Sequence, residues 1–488
     1  MRKIWAVLLI WTFSLTAIAQ DEPSLTIYNG GFAAVRERLP LDLRPGVNTV
    51  TFAGATAQVE PQSVVLRDPE DQHQFQILEQ SYRNDPVTQL MLLSLYEGKV
   101  IDFLVHRNGR EEFVKGKVIR SGYVPQQPGY PIPYYYTSVQ NQPLIEVDGK
   151  LRFTLPGEPV FPYLADDTIL KPTLNWQLQS ASAAAFKAEL GYLTQGMAWN
   201  ADYNLVAPEE GDNVDMIGWV TMRNYTGKVF ENARIRLMAG DVNKLQPREE
   251  RSYLARAAKE AMNDAMSAPV VTQKSFDEFH LYTLARPATL HDQETKQVEF
   301  VRATNVPSKR LYVYDGLQNT GWYGPVGEDP NYGIQSNKKV WIMQELKNSK
   351  TNNLGMPLPK GRLRFYRRDT DGSLQFVGEN EIDHTAENET IRVYTGNAFD
   401  VVGERKRTDF QVNRNQEWAD ESFEIRVRNH KKKAAEVRVV EHLYRWTNWK
   451  ISASSDKHQK MDAQTMEFRV TVPPDSERVV TYTVHYTW

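Results

Sequence analysis

Few residues in this chain sit at spacings that do chemistry. Acids are abundant, 61 Asp and Glu in 488 residues, and two carboxylates facing across a cleft are all that glycoside hydrolysis needs. Linear sequence does not show which pair would converge. Three acids stand out as ligand or partner contacts: Asp202, Asp400 and Glu404. Asp202 lies in Trp199-Asn200-Ala201-Asp202-Tyr203, where Trp199 and Tyr203 share one strand face and fill a core, so Asp202 points outward. Asp400 and Glu404 flank Gly403. They read first as a connection between two sandwich domains and second as the lining of a groove between them. Tyr130, Tyr134, Tyr135 and Tyr136 lie in a proline-rich stretch at 123–143. Proline keeps that stretch out of a sheet centre, and its tyrosines either contact a sugar, peptide or protein or fold back on their own domain.

Other constellations fall short. His280 and His291 with Asp292 could begin a metal site, but each reads better as capping a strand or facing water. Asp369-Thr370-Asp371-Gly372 opens like a calcium loop yet lacks the third ligand position and the closing Glu. A tight hairpin with Gly at positive φ explains it better. Glu441 and His442 are neighbours in a strand, so they face opposite ways and do not suit a cooperating acid–base pair. The run 431–433 reads as a solvated turn. His-Glu-x-x-His, Gly-x-Ser-x-Gly, Walker A and Rossmann signatures are missing. With no cysteine, disulfides, thiol catalysis, Cys-ligated zinc and a lipidated Cys are excluded. Asn224-Tyr225-Thr226 and Asn388-Glu389-Thr390 match the glycosylation pattern, a match that would mean nothing were the chain bacterial. No catalytic, cofactor-binding or metal residue is therefore assigned, and no cofactor is expected.

The elements that would position these residues are strands almost throughout. Val480, Tyr482, Val484, Tyr486 and Trp488 alternate with polar residues, as do Phe423, Ile425 and Val427. Such period-two runs with β-branched and aromatic residues make half-buried strands. About six short strands over 409–488 fit an Ig-like sandwich. The expected architecture is mainly β: tandem β-sandwich (Ig-like) domains, an N-terminal small β-barrel-like region and one inserted helix. In residues, a signal peptide at 1–19 precedes an N-terminal β region at 20–185 with a small, SH3-like barrel at about 91–156. A sandwich at 186–305 carries a helix at about 248–266. Further sandwiches occupy 306–408 and 409–488.

The N-terminus carries Arg2 and Lys3, an uncharged apolar run and a small-x-small site at Ala17 and Ala19. Those are the marks of a secretory signal peptide cut before Gln20, with a retained anchor as the alternative. Removing it makes the net charge of −3 two units more acidic, which gives no general attraction to nucleic acid or anionic lipid. No later run is long and apolar enough to span a bilayer. The chain is expected to be exported to the periplasm, cell surface or exterior, with an envelope protein or surface polymer as partner.

Several stretches resemble one bacterial family. They are residues 191–203 (Gly-Tyr-Leu-Thr-Gln-Gly-Met-Ala-Trp-Asn-Ala-Asp-Tyr), 239–243 (Ala-Gly-Asp-Val-Asn), 357–361 (Pro-Leu-Pro-Lys-Gly), 397–405 (Asn-Ala-Phe-Asp-Val-Val-Gly-Glu-Arg), 440–443 (Val-Glu-His-Leu) and 482–488. The family is a domain of unknown function shared with mucoidy-inhibitor-A-like proteins, and the similarity covers about 186–488. Residues 20–185 resemble the N-terminal region of its shorter members. Its longer members carry a coiled coil for which this chain has no sustained heptads. The resemblance implies an envelope location and a sandwich fold, and brings no activity. The expected function is non-enzymatic binding or a structural role, with a carboxylate-dependent hydrolase of glycan or peptide as the alternative.

Overall fold

A computed structural model describes residues 22–107, 109–123, 142–164, 168–240, 242, 244, 271–276, 279–317 and 327–488. The leader, the tyrosines Tyr130, Tyr134, Tyr135 and Tyr136, and the helix expected at 248–266 lie outside the described residues. Within them the regular elements are strands, apart from short 3-10 turns and one seven-residue α-helix, Gln89–Leu95. Thr88 caps that helix by accepting from the Met91 amide at 3.2 Å.

The first sandwich has an eight-stranded layer. Its order is Val271–Phe276, Phe279–Leu284, Phe230–Ala239, Ser24–Tyr28, Phe32–Leu43, Ala184–Gln195, Val65–Arg67, with Ala288–Leu290 also on Phe230–Ala239. A five-stranded layer, Glu294–Val306, Val214–Asn224, Met197–Ala207, Gly361–Arg368, Leu374–Ile382, faces it. Strand Met197–Ala207 shows why: every second residue, Trp199 and Tyr203 among them, is buried. The two layers share one apolar core. The buried polar tips find partners, as they must. Trp199 Nε1 donates to the Met238 carbonyl of the opposite layer at 3.2 Å. The Tyr203 and Tyr282 hydroxyls donate to the carbonyls of Pro359 and Pro357 at 2.6 and 2.9 Å. A three-stranded sheet, Gly46–Ala53, Thr173–Ser180, Phe75–Arg83, packs on the same core through Trp176.

The region expected to be a small barrel is an open sheet. Its order is Glu158–Val160, Val100–Arg107, Arg110–Arg120, Leu144–Val147, Lys150–Arg152, and its outer strands do not pair. Closure needs strands long enough to tilt and stagger around an axis. Two of these five have three residues each. The open face is covered instead by the helix, whose Leu93 joins Tyr96, Phe103, Val118 and Ile145.

The second sandwich is one nine-stranded sheet, Trp449–Ser454, Ser476–Thr487, Trp418–Asn429, Thr390–Asn413, Lys339–Lys347, Ser308–Asp315, Ala435–His442, Thr465–Val472, His458–Lys460. It folds over itself, bringing Phe468 and Tyr482 within 5.7 Å between ring centres. Thr390–Asn413 is a single strand of 24 residues. Its Ile391 and Val393 belong to the first core and its Val401 to the second. The boundary expected at 408 falls inside it.

The two sandwiches repeat one hydrogen-bond pattern. Asn224, fully buried, donates to the carbonyls of Lys228, Leu290 and His291 at 2.8, 3.3 and 3.1 Å and accepts from the Thr226 amide at 3.2 Å. Asn429, also fully buried, donates to Lys433, Val472 and Pro473, each at 3.0 Å, and accepts from the Lys431 amide at 3.1 Å. Asn224 pairs with Met197 and Asn429 with Val401. The strand after each asparagine runs parallel to the first strand of its sandwich.

Candidate functional site

At one end of the second core the apolar rows finish in charge. Strand alternation turns Ala419, Glu421, Phe423 and Ile425 inward from one strand, Val401, Gly403 and Arg405 from the next, and Val437, Val439 and Glu441 from a third. Buried ions are costly unless paired and hydrogen-bonded, and these are paired. Arg405 Nε reaches both Glu441 oxygens at 2.9 Å, and the Tyr482 hydroxyl donates to the same carboxylate. Arg445 Nε and Nη2 each reach Glu421 at 2.9 Å. Arg405 also lies 3.8 Å over the Phe423 ring. Burial and the Glu441 charge push the Tyr482 phenol far above its usual range.

The remaining guanidinium hydrogens fasten a loop. Arg445 donates to the carbonyls of Gly327, Asp329 and Tyr332 at 2.7, 2.9 and 2.9 Å, and Arg405 to that of Gly333 at 2.6 Å. Residues 327–333 are thereby bolted to the core.

That loop forms one wall of an open cleft of about 590 Å³, lined by Gly327, Glu328, Asp329, Pro330, Arg414, Trp446 and Trp488. Trp446 and Trp488 stack 4.1 Å apart at 8°, and Trp488 remains 38% exposed. Gly327 is required by close approach, since a Cβ there would meet the Trp446 ring at 2.8 Å. Arg414 Nε holds Glu328 at 2.6 Å. Asp329 Oδ1 accepts from the Asn331 amide at 2.8 Å.

His442 faces away from Glu441. Its Nε2 meets Asp315 at 2.9 Å and its Nδ1 the Tyr444 hydroxyl at 3.0 Å. The Asp315 carboxylate raises the imidazole above its ordinary value against the opposing effect of burial.

The acids singled out by sequence lie elsewhere and apart. Asp202 sits on the outer face of the five-stranded layer, accepting from Asn200 and Thr221 at 2.8 Å and meeting Arg364 at 3.3 Å. Asp400 is exposed, and its carbonyl accepts from the His430 amide at 2.8 Å. Glu404 meets Arg428 at 2.9 Å, and that hydrogen bond holds its carboxyl below the usual range. Asp400 and Glu404 share a strand, and Asp202 belongs to a different sheet. His280 bonds Gln273, while Asp292 accepts from the Gly227 amide. Among the described residues no three His, Asp or Glu side chains gather as a metal would need. Asp371 caps its hairpin by accepting from the Ser373 amide at 2.8 Å, with Gly372 at φ 83°.

Sequence reasoning missed the cleft. The available signal was a charged residue at an inward position of an alternating strand: Glu421 two places before Phe423, and Glu441 two after Val439. The segments at 397–405, 440–443 and 482–488, noted above for their family likeness, supply Arg405, Glu441 and Tyr482, which meet in one buried cluster.

The fold and this cleft define a mainly β protein of folded-over sheets with a concave, aromatic and charged site at the end of one sandwich. The model of one family, the domain of unknown function DUF4139, matches residues 188–488, and the chain belongs to that family. No curated protein matches it. No helix among the described residues is long and apolar enough to cross a membrane.

Proposed function

We propose that this protein is exported to the bacterial cell envelope and binds a partner or surface polymer through the cleft, without turnover, as a short relative of mucoidy-inhibitor-A-like proteins. One observation carries the reading: the cleft wall is fixed in place before any ligand arrives, by Arg405 and Arg445 from the core side. Preorganisation of this kind lowers the entropy lost on binding. The cleft is open to solvent and sets two tryptophans beside charged side chains.

The rival reading is a hydrolase using Glu328 and Asp329. Hydrolysis needs two carboxyls poised on either side of a bond. Here the two are sequence neighbours, one held by Arg414 and the other by its own loop.

A photo-crosslinking residue at exposed Gln416, two residues from the cleft-lining Arg414, tests the reading in the native envelope, with exposed Leu374 as control. A specific adduct from position 416 and none from 374 is expected. Equal yields from both, or none, would overturn the reading. Glycan or peptide turnover that disappears in Glu328→Gln or Asp329→Asn would decide for the hydrolase. Fractionation and the intact mass of the mature chain test export: loss of residues 1–19 is expected, and retention in the cytosol would defeat it.

A further inference from the structure

We infer that the cleft is a subsite for a neutral saccharide, with the exposed face of Trp488 as the stacking platform and Glu328, Asp329 and Arg414 as hydrogen-bonding edge. This rests on the reading that the cleft binds a ligand at all. The site couples one flat apolar surface to a charged rim. Trp446 stacks on Trp488 in parallel at 4.1 Å, so one face of the Trp488 ring is covered while the residue stays 38% exposed. An aromatic of this kind wants a ligand with an apolar side and a polar perimeter. The rim supplies two carboxylates and one guanidinium. Carboxylates accept from hydroxyls and guanidinium donates to them, and charge-assisted bonds are the stronger kind. Sugar rings meet both requirements, with C–H groups on a face and hydroxyls around the edge.

Other ligand classes fit less well. Strand addition by a peptide needs free backbone groups, but the carbonyls of Gly327, Asp329 and Tyr332 are turned inward to Arg445. Anionic polymers would meet two acids against one base, one of the acids already sharing that base.

The test follows the indole N–H resonances of Trp446 and Trp488 in the full mature chain during titration. The probes are N-acetylchitotriose, maltotriose, trigalacturonate and trialanine. Saturable shifts with at least one neutral trisaccharide are expected, weakened by about tenfold or more in Trp488→Ala and also in Glu328→Gln, which leaves the ring stack in place. Shifts from trialanine alone, or trigalacturonate binding as tightly as the neutral sugars, would overturn the assignment. So would saccharide binding that Trp488→Ala and Glu328→Gln leave unchanged. No shift with any probe while the adduct at position 416 persists would refute the saccharide and spare the binding reading. Loss of both would refute the two together.

Discussion

Glu441 and Arg405 form a pair whose two charges are both out of water, 0% and 3% exposed. Removing one partner leaves the other unpaired, so Glu441→Ala should cost about 3–5 kcal/mol, read as a lowered urea midpoint. Arg405→Met with Glu441→Leu should recover part of that, because neither charge then remains buried, although the Tyr482 hydroxyl and the Gly333 carbonyl lose their partners. A double variant no better than the single would disprove the account. His442 offers a pH test. Its folded pKa lies above the reference 6.5. The charged His442–Asp315 pair therefore contributes fully below pH 6.5 and fades as pH rises through the higher folded value. The stability gap between the parent and Asp315→Asn should be widest near pH 6 and shrink toward pH 8. A gap that widens with pH would contradict this. At this scale the sequence was legible where alternation alone decides, as with Trp199, Tyr203 and the opposed Glu441 and His442. It was opaque for Arg405 and Arg445, because a charged residue in a strand reads as solvent-facing until its partner from another strand is known.

Among the elements, the strand Thr390–Asn413 shows what periodicity cannot convey. Its first part pairs with Lys339–Lys347 and its second with Trp418–Asn429. The core its inward residues face changes between Val393 and Val401 without the chain turning. Gly403 between Asp400 and Glu404 reads in sequence as a connection between two domains, although the backbone continues as one strand. Gly403 is where the strand passes the Tyr314 ring, and any Cβ would fall on that ring. Gly403→Ala should cost about 1–3 kcal/mol by overpacking, and less in a Tyr314→Leu background. Purely additive losses in thermal unfolding would show that the clash is not the cause. The barrel expected at 91–156 failed for a related reason: hairpins were visible as Gly-containing turns, but whether the outer strands meet depends on lengths and tilts no local pattern encodes.

For the whole molecule, sheet membership crosses sequence distance. Ser24–Tyr28 and Phe32–Leu43 sit inside the eight-stranded layer, between Phe230–Ala239 and Ala184–Gln195. The family match begins at residue 188, so a fragment of 188–488 lacks two central strands, the edge strand Val65–Arg67 and the first four residues of Ala184–Gln195. It should be insoluble alone and soluble when co-expressed with residues 22–187. A monodisperse, cooperatively folding 188–488 fragment would show this to be wrong. The strand-rich class was readable from composition and period. The long-range parallel pairings were not, because a parallel neighbour leaves no mark at fixed spacing.

Asn224 lies in an Asn-Tyr-Thr triplet and its amide is fully enclosed, with three carbonyls as acceptors. A eukaryotic secretory host attaches its oligosaccharide to such triplets on the nascent chain. A modified Asn224 would have no room to enter its seat. Secretion from yeast or mammalian cells should therefore give poor yields that improve when the transferase is inhibited, whereas bacterial production escapes the problem.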